Sequence, residues 1–287
     1  HEMTAWVKKA EKTKGAVPSW QGGKMPLSTE LADAVLAQMA LAADGRFESP
    51  ELQAARPMLE TQARVSRLPR PGELLVEHMQ SREGHHLYLY PFAGRHVHLG
   101  LASLLAWRLA REQPNTFSLS VNDYGLELLS SEPADLTRLL DRSVFSAADL
   151  LEHVMASLNA GELAQRRFRE IARVAGLVFS GYPGAPKSLK QLQASSGLFF
   201  EVFRKYDPGN LLLGQAEREV LSQELDIDRL RGCLLGLATQ TLHSVALERP
   251  SPMSLPLMVE RLRERLSTEQ LSARLDKLLR ELDKANA

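Results

Sequence analysis

Phe117-Ser118-Leu119-Ser120-Val121-Asn122-Asp123-Tyr124-Gly125-Leu126-Glu127-Leu128-Leu129 decides the fold class of this 287-residue chain. Apolar and polar residues alternate over 117–121, the period of a strand with two different faces. Asn122-Asp123-Tyr124-Gly125 supplies turn chemistry, and Leu126–Leu129 returns as a second strand. The same signature lies upstream. Leu74, Val76 and His78 alternate with polar neighbours, Leu87 and Leu89 alternate with Tyr88 and Tyr90, and Gly84 between them marks another hairpin. A helical run over about 99–111 separates the two hairpins. Residues 73–132 therefore read as a small antiparallel sheet or barrel with one crossing helix.

Either side of this module the period becomes helical. Leu31, Val35, Met39 and Ala42 define a helix stopped near Gly45, and a second helix covers about 50–60. Downstream, helices are expected near 147–158, 162–179, 188–206, 211–223, 226–238, 255–266 and 268–284. Ser146 with Asp149 looks like a capping box, as does Ser267 with Gln270. Thr241, His243, Val245 and Leu247 alternate after a helix, as the wing of a winged helix does. The expected class is α+β and mostly helical. Four segments follow: a linker with a cloning scar at 1–17, a helical segment at 18–72, the β module at 73–132, and a helical, winged-helix-like region at 133–287.

Composition narrows the function. Apolar residues make up 44% and charged residues 24%, values of an ordinary soluble protein, and no run is long enough to span a bilayer. A single cysteine, Cys233, rules out an internal disulfide framework and a cysteine-based zinc cluster, which fits a reducing cytoplasm. Net charge is zero, but it is segregated. Residues 61–111 carry seven Arg against three Glu, and 162–190 carry four Arg and two Lys against two Glu. Acidic stretches occupy 115–152 and 207–229. Such segregation can place a basic patch on a neutral molecule.

Several residues are candidates for contact with nucleic acid. In Pro18-Ser19-Trp20-Gln21-Gly22-Gly23-Lys24-Met25-Pro26-Leu27-Ser28, two glycines allow close approach, Trp20 offers a stacking face, and Lys24 a point charge for phosphate. Trp20 is equally a candidate for a buried loop anchor. Arg95, between Gly94 and His96, could meet a phosphate or form a salt bridge with Asp123 or Glu127. Arg166, Arg169 and Arg173 share a helix face, as in a recognition helix or a solvated one, and Tyr182 on the next turn could stack or anchor it. His96 and His98, placed on one strand face, show no third metal ligand, so no metal is expected. The chain has neither a Gly-x-x-x-x-Gly-Lys-Ser/Thr loop nor an Asp-Glu-x-His box, so it is not itself an ATPase motor.

The Trp20 stretch resembles the start of the C-terminal domain of bacterial Lhr-type (large helicase-related, often ligase-associated) DExH-box DNA helicases. Further matches run in order: Tyr88-Leu89-Tyr90-Pro91-Phe92-Ala93-Gly94-Arg95-His96-Val97-His98, Val121-Asn122-Asp123-Tyr124-Gly125-Leu126-Glu127, Phe179-Ser180-Gly181-Tyr182-Pro183-Gly184, Gln191-Leu192-Gln193-Ala194-Ser195-Ser196, and Tyr206-Asp207-Pro208-Gly209-Asn210-Leu211-Leu212. The resemblance implies an accessory domain of an ATP-dependent 3′→5′ DNA translocase in DNA repair, gripping single-stranded DNA for upstream RecA-like and winged-helix modules. ATP and magnesium would belong to those modules, and the fragment itself would carry no cofactor. Two other functions stand beside it. One is a protein-interaction or oligomerisation module that recruits a DNA ligase or nuclease or self-assembles. The other is a DNA-glycosylase-like activity centred on Gln191 and Gln193, whose Gln–apolar–Gln pattern resembles that of helix-rich glycosylases.

Overall fold

The structure, a computed structural model, describes residues 27–134, 136–157, 160–178, 181–182, 185–186 and 189–264. The chain forms two units. One comprises residues 26–160 together with 221–287, and the other comprises 1–25 together with 161–220.

The first unit is built on five strands: β1 (Glu73–Ser81), β2 (Gly84–Tyr90), β3 (Phe117–Val121), β4 (Leu126–Ser130) and β7 (Thr241–Ala246), in the order β3-β4-β2-β1-β7. Both expected hairpins are present. Gly84 turns the first, and its φ of 135° is one that side-chain-bearing residues rarely adopt. Asn122 closes the second, its Oδ1 accepting from the N–H groups of Tyr124 (2.9 Å) and Gly125 (2.8 Å). Four strands are antiparallel, but β7 runs parallel to β1, pairing Glu73 with Thr241 and His78 with Ala246. The sheet is thus mixed and open, with β3 and β7 at its edges. The alternation read as a wing at 241–247 belongs to this edge strand; the residue pattern shows a two-faced strand but not its neighbour.

The same unit carries the helices α1 (Thr29–Ala43), α2 (Pro50–Val65), α3 (Arg95–Glu112), α4 (Thr137–Leu140), α5 (Leu150–Ser157), α9 (Ile227–Thr239) and α10 (Leu255–Glu264). Serines begin the first two, Ser28 and Ser49 accepting from the N–H groups of Leu31 and Leu52. α3 buries Val97, Leu101, Leu104 and Leu105 completely and packs against β3, β4, α5 and α9. Around the other face Leu75, Tyr88, Tyr90, Leu257 and Met258 meet Val35, Leu36 and Met39 of α1. α3 begins at Arg95, four residues before the expected start, so His96 and His98 stand on a helix and not on a strand. The Ser146–Asp149 capping box does not form. Ser146 Oγ accepts from Ala148 N–H (3.2 Å) and Asp149 takes a left-handed φ of 53°, so α5 starts only at Leu150.

The second unit contains α6 (Ala160–Val174), two short paired strands β5 (Gly181–Tyr182) and β6 (Ala185–Pro186), α7 (Leu189–Tyr206) and α8 (Leu211–Glu219). Ala164, Phe168 and Ala172 recur every fourth residue on α6 and close a core with Phe200, Leu213 and Ala216. The Phe168 ring meets Phe200 and Phe203 edge-on, with centroids 5.4 and 6.0 Å away. Asn210 caps α8 by accepting from Leu212 N–H (3.0 Å) after the Asp207–Asn210 turn. A π-helical turn, Val220–Glu224, follows it.

Candidate nucleic-acid interface

Two of the long motifs, 88–98 and 121–127, meet in space as one knot of turns. Phe92 N–H donates to the Tyr124 carbonyl (3.1 Å) and Gly94 N–H to the Asp123 carbonyl (3.1 Å). His98, fully buried, ties both loops: Ala93 N–H donates to its Nε2 (3.0 Å) and its Nδ1–H donates to the Asn122 carbonyl (2.6 Å). These contacts fix one neutral tautomer, and burial lowers the imidazole pKa to about 4. Arg95 grips Asp123 in a two-pronged pair, Nε to Oδ1 (3.1 Å) and Nη2 to Oδ2 (2.9 Å). Burial pushes the Asp123 carboxyl upward, but the Arg95 hydrogen bonds outweigh it and hold the group below its ordinary range. Asp123 also accepts from Arg95 N–H (3.3 Å) at the first turn of α3. The positive end of that helix therefore holds a carboxylate of the protein itself.

Of the two readings of Arg95, the geometry shows the Asp123 pair. Glu127, the other possible partner, is engaged elsewhere. Its carboxylate, at 0% exposure, accepts from His86 Nδ1 (2.7 Å) and Arg261 Nε (3.1 Å), while Arg261 Nη2 also meets Glu83 (2.6 Å). On the same face Glu77, also at 0%, accepts from Gln62 Nε2 (2.8 Å), Tyr90 hydroxyl (2.7 Å) and Ser251 Oγ (2.7 Å). Desolvation, followed by the Glu77 charge, pushes the Tyr90 phenol well above its ordinary range, so the hydroxyl stays a donor. The residue pattern alone did not reveal this network. Alternation suggested one solvated face, whereas helices cover both.

Ser81 Oγ stands 2.7 Å from His86 Nε2, completing a serine–histidine–glutamate line. Hydrolases use that order of atoms together with oxyanion donors. Here the nearby Glu83 N–H is aimed at Oγ itself (3.0 Å), which makes Ser81 part of the hairpin turn. A separate cleft of about 410 Å³ is lined by Trp107, Arg111, Ser143, Asp149 and His153 among others. Arg108 braces it by donating to the carbonyls of Val144 and Ser146 (both 2.7 Å). Trp107 already carries the His153 ring at 4.8 Å and the Arg111 guanidinium at 4.8 Å.

The remaining sequence-derived candidates lie in the second unit or outside the description. Trp20 and Lys24 lie outside the described residues. Arg166, Arg169 and Arg173 stand on α6 away from the Ala164–Phe168–Ala172 stripe, as their spacing requires. The Arg166 side chain is outside the description, Arg169 is half-buried, and Arg173 is exposed with Glu170 as its ion-pair partner. Tyr182 sits in β5 and Gln191 and Gln193 in α7, and of these three only the backbone is described. Opposite the Phe200 face of α7 lies a second apolar row, Leu198, Val202 and Tyr206, exposed by 66%, 39% and 72%.

Residues 68–254 match the family described as DEAD/H associated, and the chain belongs to it. The expectation of an Lhr-type helicase-associated domain therefore holds. Curated relatives include ATP-dependent helicase Lhr-Core protein 2 of Thermococcus barophilus, 25% identical over 236 residues, covering 77% of this chain and 27% of the relative. Another is ATP-dependent helicase Lhr-Core of Methanocaldococcus jannaschii, 22% identical over 262 residues, covering 88% of this chain and 31% of the relative. The chain thus spans under a third of the length of these relatives. Among solved structures, Mycobacterium smegmatis helicase Lhr bound to ssDNA and AMP-PNP superimposes with a TM-score of 0.67 at 23% identity, over 85% of this chain and 33% of that one. That likeness shows the fold. Among the described residues no helix is long and apolar enough to cross a membrane.

Proposed function

We propose that the chain is a cytoplasmic accessory domain of an ATP-dependent 3′→5′ DNA translocase in DNA repair, gripping single-stranded DNA while upstream RecA-like modules bind ATP and magnesium. The observation that carries this reading is the arginine row on α6. Arg169 and Arg173 both lie off the Ala164–Phe168–Ala172 stripe, Arg169 half-buried and Arg173 exposed beside Glu170. Guanidinium groups so placed can hold successive phosphates without reading bases. In this reading Trp20 supplies a stacking face, Lys24 a positive charge, and Arg166 and Tyr182 further contacts to the strand. Arg95 serves the reading through Asp123, by holding the turns in place. Support comes also from the solved relative, a helicase Lhr bound to ssDNA and AMP-PNP.

Titration of a labelled oligonucleotide at several salt concentrations tests the reading. Binding should weaken with salt. Trp20→Ala should lose about 1–3 kcal/mol, the range for one stacked base, and Arg169→Ala should flatten the salt dependence by about one phosphate contact. No binding at low salt would sink it. A second reading, a protein-interaction or oligomerisation module that engages a ligase, a nuclease or another copy, is favoured by the Leu198–Val202–Tyr206 row. Light scattering of wild type against Val202→Glu separates the two.

A further inference from the structure

The cleft beside Trp107 takes no part in the contacts assigned above. Its walls are the last two turns of α3, the loop 143–149 and the first turn of α5. Arg108, only 7% exposed, holds the loop from behind by donating to the carbonyls of Val144 and Ser146 (both 2.7 Å). The same guanidinium stands 3.1 Å from His153 Nδ1 through Nη2. An arginine can only donate, so Nδ1 is the acceptor and the neutral imidazole carries its proton on Nε2. Among the described residues nothing accepts from that Nε2–H or from the Trp107 indole N–H, and neither atom is sealed from solvent. Arg111 Cζ lies over the Trp107 ring, 4.8 Å from its centroid. Arg111 and Asp149 are both exposed, and neither side chain has an ion-pair partner among the described residues.

We propose that this cleft takes a nucleobase. Two ring N–H donors, a guanidinium and a carboxylate border one space of about 410 Å³, within the range of small-molecule sites, about 300–1,000 Å³. Charge decides against a bare phosphate. Arg108 and Arg111 are balanced by Glu112 and Asp149, so a lone anion gains little there. A nucleobase is flat, uncharged, and carries both donors and acceptors on its edge. Its face can lie on the outer side of the Arg111 guanidinium, lengthening the Trp107–Arg111 stack. Its edge can then accept from Trp107 and His153 and donate to Asp149. The base can come from a single strand or from a free nucleotide. The strand as source rests on the single-strand reading of this domain; the chemistry of the cleft does not.

Photocrosslinking decides it. Iododeoxyuridine, which couples on irradiation to aromatic and histidine side chains that it touches, is offered to the whole chain in two forms. One is the free monophosphate and the other an oligodeoxynucleotide carrying it. Adducts mapped by mass spectrometry should fall on Trp107 or His153. Adducts there from the oligonucleotide alone assign the cleft to the strand, and adducts from the monophosphate show that it takes free nucleotides. None at either residue from either probe overturns the proposal. Arg111→Ala and Asp149→Asn alter exposed side chains and should keep the thermal midpoint within about 2 °C. Each should lower the adduct yield at Trp107 and His153 by about 3–10-fold. A wild-type yield in both variants also overturns it, since the adducts then report only an accessible ring. If the oligonucleotide does not bind even at low salt, the single-strand reading fails, and the monophosphate still decides the cleft.

Discussion

Around Glu77 and Glu127 the sheet-bearing unit encloses two carboxylates at 0% exposure, each surrounded by donors from distant parts of the chain. The unit of residues 161–220 closes instead around Phe168, Phe200 and Ala172, and carries Arg173, Glu170, Arg204 and Glu201 on its surface. The first arrangement admits few alternatives. A buried carboxylate is tolerable only where every donor is present at hydrogen-bonding distance, so each partner constrains the others. The second is held by shape and apolar area, which accept substitutions of similar volume. Its outer face is therefore open to charges chosen for a ligand.

Removing a carboxylate should expose that contrast most strongly. Glu77→Ala leaves Gln62, Tyr90 and Ser251 with unmet donors and should destabilise the sheet-bearing unit by about 3–5 kcal/mol, read as a fall in urea midpoint. Acid should act next, through His98 of that unit. His98 titrates at about 4 when folded against an ordinary 6.5, so between those values the unfolded chain binds a proton that the folded chain refuses. Its contribution is complete above pH 6.5 and falls by about 3 kcal/mol as pH drops to 4; urea titrations of His98→Gln at both pH values should lack that loss. In the other unit Phe168→Leu should cost only about 1–1.5 kcal/mol, measured by hydrogen exchange of α6. A cost equal to that of Glu77→Ala would erase the distinction between the two cores. Arg173→Ala should change stability by less than about 0.5 kcal/mol while lowering DNA affinity at low salt.

Much of the fold was legible in the residues because the signals were local. Gly84 and Asn122–Gly125 marked both hairpins, and apolar spacing placed α1, α6, α7 and α8 within a few residues of their bounds. What escaped was non-local. Nothing in Thr241–Leu247 tells that the strand lies parallel beside β1, and nothing in Glu77 tells that helices cover its face of the sheet. The site divides the same way. The sequence around Arg95 named Asp123 as one possible salt-bridge partner, and that pair is present, but it suggested a loop where the structure has the first turn of α3. Arg229 drew no notice, since an arginine among Leu and Asp on a helix has no local mark of its hydrogen bond to the Ala93 carbonyl, 136 residues away.

The parallel pairing of β7 with β1 has a consequence for synthesis. Ser251 reaches Glu77 across 174 residues and Met253 reaches Gln62 across 191. At roughly 5–20 residues per second, a ribosome takes on the order of ten seconds or more to cover that distance. Residues 161–220 leave the tunnel within the interval, and among the described residues their aromatic core draws on none beyond Ala216. β1 must wait, with one edge bare and a carboxylate still lacking its serine. During that time the nascent chain offers other chains an unpaired strand, the geometry from which edge-to-edge aggregation starts.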